Sequence, residues 1–437
     1  MKIQKTGFIE KNILYIFLFA LCCIIGMKNN LALVIGIAIL VTAMALSSPE
    51  HWFCWSLFLI PNIRILDSLG TTSIVNFLMV LPLFFYVAAR LPKKKLMGFP
   101  VICGLFLYAI EEIHLIANIG SSGPLIAWVL AFMLCCFVTL DEEISISKND
   151  ATYGLIAGII FSAIVYLVNN PTFTSNIINN IISGYRFTAY GDDPNYYALY
   201  MCISLASLVI KDKITRFDYI LIGVLICLCF MTASKMCLGL MIINLVYLIV
   251  FTSNTQKKMG RNFVILIVIC CVAFLCRDYI ELFMNNLLNR AGGNNITLNT
   301  LTTGRSSILS EYIYILFEDV AVFMLGKGFD YHRHIAINSG KGAHNTYLDV
   351  ILAWGLIGVI VFAVIMNLWL KKYKKKLNAN RYTIMSKFPF FILLINFLDL
   401  SCFSACMFFF VITFCIIQLE PQKDITCKKT ELKKVAS

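Results

Sequence analysis

Apolar runs long enough to cross a bilayer recur along nearly the whole chain, each closed by a short polar or basic stretch. In lipid the backbone must satisfy its own hydrogen bonds, so runs of this length predict helices and not a barrel. They are Ile13–Met27, Leu31–Leu46, Trp52–Leu66, Ile74–Ala89, Val101–Ala117, Leu125–Leu140, Thr152–Val168, Tyr196–Ile210, Phe217–Thr232, Met236–Phe251, Phe263–Cys276, Tyr347–Leu370 and a final block Phe388–Leu419. That block is too long for one upright helix and short for two. Taking Asp399-Leu400-Ser401 as a turn makes it two spans, with one kinked helix as the alternative. The expected fold is all-α, a single polytopic transmembrane helix bundle over residues 1–437, with about 12–14 spans.

Most connections are about ten residues or fewer, but two are long, 169–195 and 277–346, and both fall on the same side of the membrane. Long loops confined to one face point to function there. Within the second, Ser306–Met324 predicts an amphipathic helix. Ile308/Leu309, Tyr312/Ile313, Leu316/Phe317 and Val320/Ala321 lie on one side, with Glu311, Glu318 and Asp319 on the other. Such a helix either lies flat on the outer membrane surface or packs on the tops of the spans.

Composition agrees with a membrane chain: 59% of residues are hydrophobic and 14% charged, and the mean hydropathy is +0.82. An ordinary soluble globular protein is excluded. With the N-terminus cytoplasmic, 26 of the 36 Lys and Arg fall in segments assigned inside, as the positive-inside rule requires. The net charge of +12 is therefore mostly a topology signal. The run Lys371-Lys372-Tyr373-Lys374-Lys375-Lys376 reads as an anchor beside anionic lipid, and no nucleic-acid partner is expected. The Lys-rich segment 420–437 reads as a cytoplasmic tail, and the charged start before the first span as a retained signal anchor. Nearly all of the 17 cysteines sit inside spans, where Cys acts as a small hydrophobe, and no Cys-x-x-Cys with a nearby His offers a zinc site.

Three polar constellations face outward. The first, Arg186-Phe187-Thr188-Ala189-Tyr190-Gly191-Asp192-Asp193-Pro194-Asn195, ends at the mouth of the eighth span. Its Arg suits a phosphate, although Asp-Pro-Asn is also ordinary chemistry for opening a helix. In the second, Thr302-Thr303-Gly304-Arg305 opens the amphipathic helix; Arg305 either holds an anion near a helix N-terminus or pairs with Glu311 or a lipid headgroup. The third is His344-Asn345, followed after nine residues by Gly355-Leu356-Ile357-Gly358, with Tyr347 at the start of the span. A lone His at a span end is more often structural than catalytic; two arginines on the same face shift the balance.

Other residues contribute less. Lys235, in Ala233-Ser234-Lys235 at the outer start of the tenth span, is a further anion contact. Glu111, Glu112 and His114 in the outer part of the fifth span either line a substrate cleft or sit near the interface. His332, His334 and His344 lack partners at typical ligand spacing, so no metal site is expected.

Together Arg186, Gly191 and Pro194-Asn195, then Ser234-Lys235, then Gly304-Arg305 with Leu325-Gly326-Lys327-Gly328, then His344-Asn345 with Gly355 and Gly358, resemble the O-antigen ligase and polymerase family. The resemblance covers residues 150–370 by motif and the whole chain by topology. Its most specific element is the His-Asn, nine-residue, Gly-x-x-Gly spacing. Lys235 departs from the pattern, standing where many relatives have Arg.

The resemblance implies an integral-membrane, C-type, inverting glycosyltransferase of the bacterial cytoplasmic membrane, with its active site on the extracytoplasmic side. Its donor is a glycan on undecaprenyl pyrophosphate, and it uses no metal, nucleotide or other cofactor. Carried over residue by residue, Arg186, Arg305 and Lys235 hold the pyrophosphate and His344 deprotonates or orients the attacking hydroxyl. Asn345, Asn195, Tyr347 and Glu112 support them. A repeat-unit polymerase of O-antigen or capsular polysaccharide, acting on a lipid-linked repeat unit beside a flippase and a chain-length regulator, is expected on base rate. A ligase that transfers the glycan to lipid A core or to protein is the first alternative. A polysaccharide or lipid exporter is the second, disfavoured because the polar residues concentrate on one face. A structural scaffold would not require the long outer loops.

Overall fold

The computed structural model describes residues 7–27, 29–70, 73–90, 98–116, 123–141, 144–183, 185–191, 193–211, 214–251, 277–290, 304–329, 331–335, 342–376 and 407–419. Every regular element among them is helical. In chain order they are α1 (Phe8–Gly26), α2 (Asn30–Leu46), α3 (Pro49–Leu59), α4 (Ser73–Arg90), α5 (Gly98–Ile116), α6 (Gly123–Leu140), α7 (Lys148–Asn169), α8 (Pro171–Ser175) and α9 (Ile177–Ile182). There follow α10 (Pro194–Val209), α11 (Arg216–Thr232), α12 (Lys235–Phe251), α13 (Arg277–Arg290), α14 (Arg305–Glu318), α15 (Val320–Leu325), α16 (Tyr331–His334), α17 (Thr346–Lys376) and α18 (Met407–Leu419). The all-α expectation holds for these residues. By length and composition two helices can cross a membrane, Phe8–Gly26 and Lys148–Asn169, and several shorter helices are equally apolar.

α7 is the hub, touching α1, α3, α10 and α18. Gly154 and Gly158, one turn apart, let the backbone of α3 approach; a Cβ at Gly158 would overlap the carbonyl of Phe58. This is the small-xxx-small solution to close helix packing. A second focus is a ring cluster in which Trp128 of α6 meets Trp354 of α17 at 4.8 Å and Phe409 of α18 at 4.4 Å. Phe329 closes it from the loop before α16, 5.3 Å from Trp354.

Polar cross-links reach α7 at both ends and also at its middle, where the Gly158 and Ile159 carbonyls accept Asn62 Nδ2 and the Tyr197 hydroxyl. At its start, Lys148 Nζ donates to the Gln418 carbonyl at 3.0 Å, and nearby termini carry the pairs Arg90–Asp141 (2.7 Å) and Lys211–Asp218 (2.8 Å). At its other end, Asn169 donates to the Tyr190 hydroxyl at 2.9 Å. A helix of this length separates the two rims by about 30 Å.

Three predicted elements differ. The run Trp52–Leu66 is not one helix: α3 stops at Leu59 and a 3-10 turn, Ile60–Asn62, follows. Pro61 has no N–H to give the Leu57 carbonyl, and Asn62 Nδ2 takes up the next carbonyl, of Phe58 (2.8 Å), together with that of Gly158 in α7 (3.0 Å). The amphipathic segment Ser306–Met324 is divided into α14 and α15 at Asp319, whose carboxylate accepts the N–H groups of Ala321 and Val322 and so caps a new helix. Of its apolar side, Ile308 and Tyr312 are buried, whereas Phe317 is 85% and Val320 69% exposed; Val322, off that side, is buried. The run Tyr347–Leu370 lies in α17 but is broken at Gly355, where φ is +62°. The predicted span Phe263–Cys276, the turn at Asp399-Leu400-Ser401 and the tail 420–437 lie outside the described residues.

Candidate functional site

The Arg186 segment is fixed by backbone before any side chain acts. Phe187 N donates to the Met231 carbonyl at 3.0 Å, laying the segment against the end of α11. Asp193 caps α10, its Oδ1 accepting Asn195 N at 2.6 Å, and Pro194 occupies the first turn, where its missing donor costs nothing.

On that frame Arg186 Nη2 donates to Asn195 Oδ1 at 2.6 Å, and Arg186 Nε to the Thr232 carbonyl at 3.4 Å. Ser234 Oγ donates to the same Asn195 oxygen at 3.0 Å. One amide oxygen thus ties the first predicted constellation to the segment that carries Lys235. The N-termini of α10 and α12 meet at this bond, each already capped in part, α10 by the Asp193 carboxylate and α12 by Ser234 Oγ, so two helix dipoles and a held guanidinium lie together, with Lys235 next in sequence to Ser234. That combination is suited to an anion with several oxygens.

His344 and Asn345 stand at the entry to α17. Asn345 is its cap: Oδ1 accepts Tyr347 N at 3.0 Å and Leu348 N at 3.1 Å. Tyr347 is half exposed at the first turn. Behind them lies a contact the sequence did not announce. The Tyr331 hydroxyl donates to Asp349 Oδ1 at 2.5 Å and accepts Ala343 N at 2.8 Å, so one phenol pins both sides of His344. Burial first, and the Asp349 carboxylate beside it, hold this phenol well above the ordinary tyrosine range, so it remains a donor at neutral pH. Arg305 opens α14, and Tyr312 of that helix packs edge-on against Tyr331 at 5.4 Å, linking the second constellation to the third.

The glycines of Leu325-Gly326-Lys327-Gly328 and Gly355 belong to one device. At Gly355 α17 loses its ladder, and the freed carbonyls of Leu352 and Ala353 accept Lys327 N and Gly328 N, each at 2.8 Å. Gly326 has φ +73° and Gly355 φ +62°; a Cβ on either would overlap backbone of the other strand of chain. Glu111 locks the device from α5. Fully buried, it accepts Phe329 N at 3.0 Å and Trp354 Nε1 at 3.1 Å, while His114 Nε2 bonds the Leu325 carbonyl at 3.1 Å. The predicted Glu112 instead sits half-buried with the Tyr108 hydroxyl as partner.

Three non-glycine residues among those described have positive φ: Ala189 (+48°), Ala233 (+46°) and His344 (+51°). Each costs about 1–3 kcal/mol, and they fall one apiece in the Arg186, Ser234-Lys235 and His344-Asn345 segments. Strain of this kind is retained where the surrounding structure holds a functional geometry.

Asp349 and Tyr331 escaped the sequence reading, although an acid at the third position of the apolar run Tyr347–Leu370 is a visible signal. So did a cluster of three buried thiols, Cys202, Cys229 and Cys237, brought together from α10, α11 and α12. Their spacings of 27 and 8 residues match no metal motif. His332 lies edge-on to Tyr331, and the His334 side chain is outside the described residues. The chain matches no family model and no curated protein.

Proposed function

We propose that the chain is a polytopic membrane glycosyltransferase that polymerises lipid-pyrophosphate-linked repeat units of a bacterial surface polysaccharide. The observation that carries the reading is the shared bond of Arg186 and Ser234 to Asn195. Two separate sequence motifs meet there at converging helix N-termini, bringing the Arg186 guanidinium to the segment that carries Lys235. A pyrophosphate leaving group needs such donors, because the charge that develops on it must be met by groups already in position. His344 then serves the acceptor hydroxyl as general base, and Arg305 adds charge from α14. Inversion follows from direct displacement at the anomeric carbon.

Exposed apolar surface supports a membrane location. On α1, Ile13, Leu14, Phe17 and Ile25 are each 58% exposed or more, and Ile116 at the end of α5 is 82% exposed. Water would penalise such a face, and acyl chains would not. The two polar rims join only segments that the topology assigns to the same side. The exporter alternative calls for a broken helix whose freed carbonyls serve an ion or substrate. Here Lys327 and Gly328 occupy those carbonyls.

The test is the surface-glycan ladder of a deletion strain complemented with wild type, His344→Ala or Arg186→Ala at equal membrane expression. The polymerase reading expects a single capped repeat unit and no ladder with either variant. Long lipid-linked chains that accumulate untransferred identify a ligase. Full complementation by both variants rejects the catalytic reading of this site.

A further inference from the structure

We infer that Cys202, Cys229 and Cys237 form a three-sulfur site for one thiophilic metal ion of the monovalent copper type. The three thiols come from α10, α11 and α12, all are buried, and their sulfurs lie within 4.8 Å of one another, with Cys202 and Cys237 at 3.4 Å. Sulfurs bound to a common ion at about 2.3 Å are about 4 Å apart in a trigonal arrangement. Closing the site therefore needs small side-chain rotations and no helix movement. The thiols are already oriented: Cys237 Sγ lies 3.8 Å from the Ala198 carbonyl and Cys202 Sγ 3.8 Å from the Cys237 carbonyl.

The donor set selects the ion. An all-sulfur site suits a soft ion, and three donors suit a trigonal one, whereas structural zinc takes four ligands. Charge sets the proton count. A Cu(I) trithiolate would bury a doubly negative complex; two thiolates and one retained thiol make it singly negative, release two protons, and cost less in an apolar interior. No electron transfer is required, because copper enters and stays as Cu(I). A Cys202–Cys237 disulfide would need an oxidant and would leave Cys229 without a role.

The position gives the site a consequence. Cys202 lies two turns along α10 from Asn195, and Cys237 one turn along α12 from Ser234. An ion here staples the three helix ends that carry the Arg186 cluster. The site does not depend on the glycosyltransferase reading, and its test needs no activity.

The full chain in lipid nanodiscs, kept anaerobic and reduced, is titrated with Cu(I) against a chromophoric chelator. It is compared with a variant carrying Cys202→Ala, Cys229→Ala and Cys237→Ala. Wild type should take up one more equivalent than the variant, show a near-ultraviolet sulfur-to-copper band that the variant lacks, and gain melting temperature on copper addition. X-ray absorption should find three sulfurs at about 2.3 Å. Equal uptake by the two proteins overturns the inference. Where the triple variant does not fold, Cys229→Ala alone should lower the sulfur count from three to two, and an unchanged count overturns it.

Discussion

The carboxylate of Glu111 accepts the indole N–H of Trp354 at 3.1 Å, across 243 positions of sequence. Its other oxygen holds Phe329 N. One acid therefore joins α5, the Gly-Lys-Gly loop and the broken helix α17, and the entry to α17 carries His344. Replacing Glu111 by Ala leaves two buried donors without an acceptor, each costing about 1–3 kcal/mol. Glu111→Gln keeps an acceptor oxygen. Thermal unfolding in detergent should show a large loss for Ala and a smaller one for Gln, with the polysaccharide ladder following the same order.

Glycine substitutions should separate strain from collision. Gly304 has φ +84° with open space around its missing Cβ, whereas Gly355 has φ +62° and backbone of Met324 in the way. Gly304→Ala should cost about 1 kcal/mol through conformation alone, and Gly355→Ala clearly more. Equal melting temperatures for the two variants would count against the tight pairing of the loop with α17.

His344 sits at φ +51°, so its conformational and chemical roles can be told apart. His344→Gly relieves the backbone and should melt no lower than His344→Ala, yet both should lose the ladder completely. A ladder restored by Gly alone would make the residue a turn element without chemistry.

Asn195 gives a sharper test of the anion cluster. Asn195→Asp keeps the oxygen that binds Arg186 and Ser234 and adds a negative charge. Stability should hold or rise, because a charged acceptor strengthens the Arg186 bond. On the proposed function transfer should fall, because the same charge would repel a pyrophosphate. Asn195→Ala should lower both. Ladder length and thermal unfolding, measured side by side, distinguish these outcomes.

Tyr331→Phe removes the bonds to Asp349 and Ala343 and should cost about 2 kcal/mol. The native phenol is held above its ordinary value of 10.0. The unfolded chain ionises first, so this group's contribution is fully present below pH of about 10 and declines above it. Alkaline unfolding in detergent should therefore be less steep in Tyr331→Phe than in wild type.

Long-range order divides what was legible from what was not. Apolar runs announced most of the helices, because a helix closes its own hydrogen bonds and its signature is local. The segments around Arg186, Lys235 and His344 were legible as polar residue types beside helix starts. Pro61 and Asp319 were equally visible, yet the breaks they make were missed. Whether a proline or an acid ends a helix inside an apolar run depends on which groups satisfy the freed donors and acceptors. Beside Pro61, Asn62 holds the last turn by reaching the Phe58 carbonyl of its own helix and Gly158 of α7.

By itself, then, the sequence determined a helical, largely apolar chain with polar residues gathered at helix ends, because composition and periodicity are properties of neighbours. Only the tertiary structure decided that Arg186 meets Ser234 through Asn195, that Glu111 and not Glu112 locks the loop onto α17, and that three thiols from three helices converge. Those are choices among distant partners. They are set by the close approach that glycines 154, 158, 326 and 355 permit, and by the cost of leaving any buried polar group unpaired.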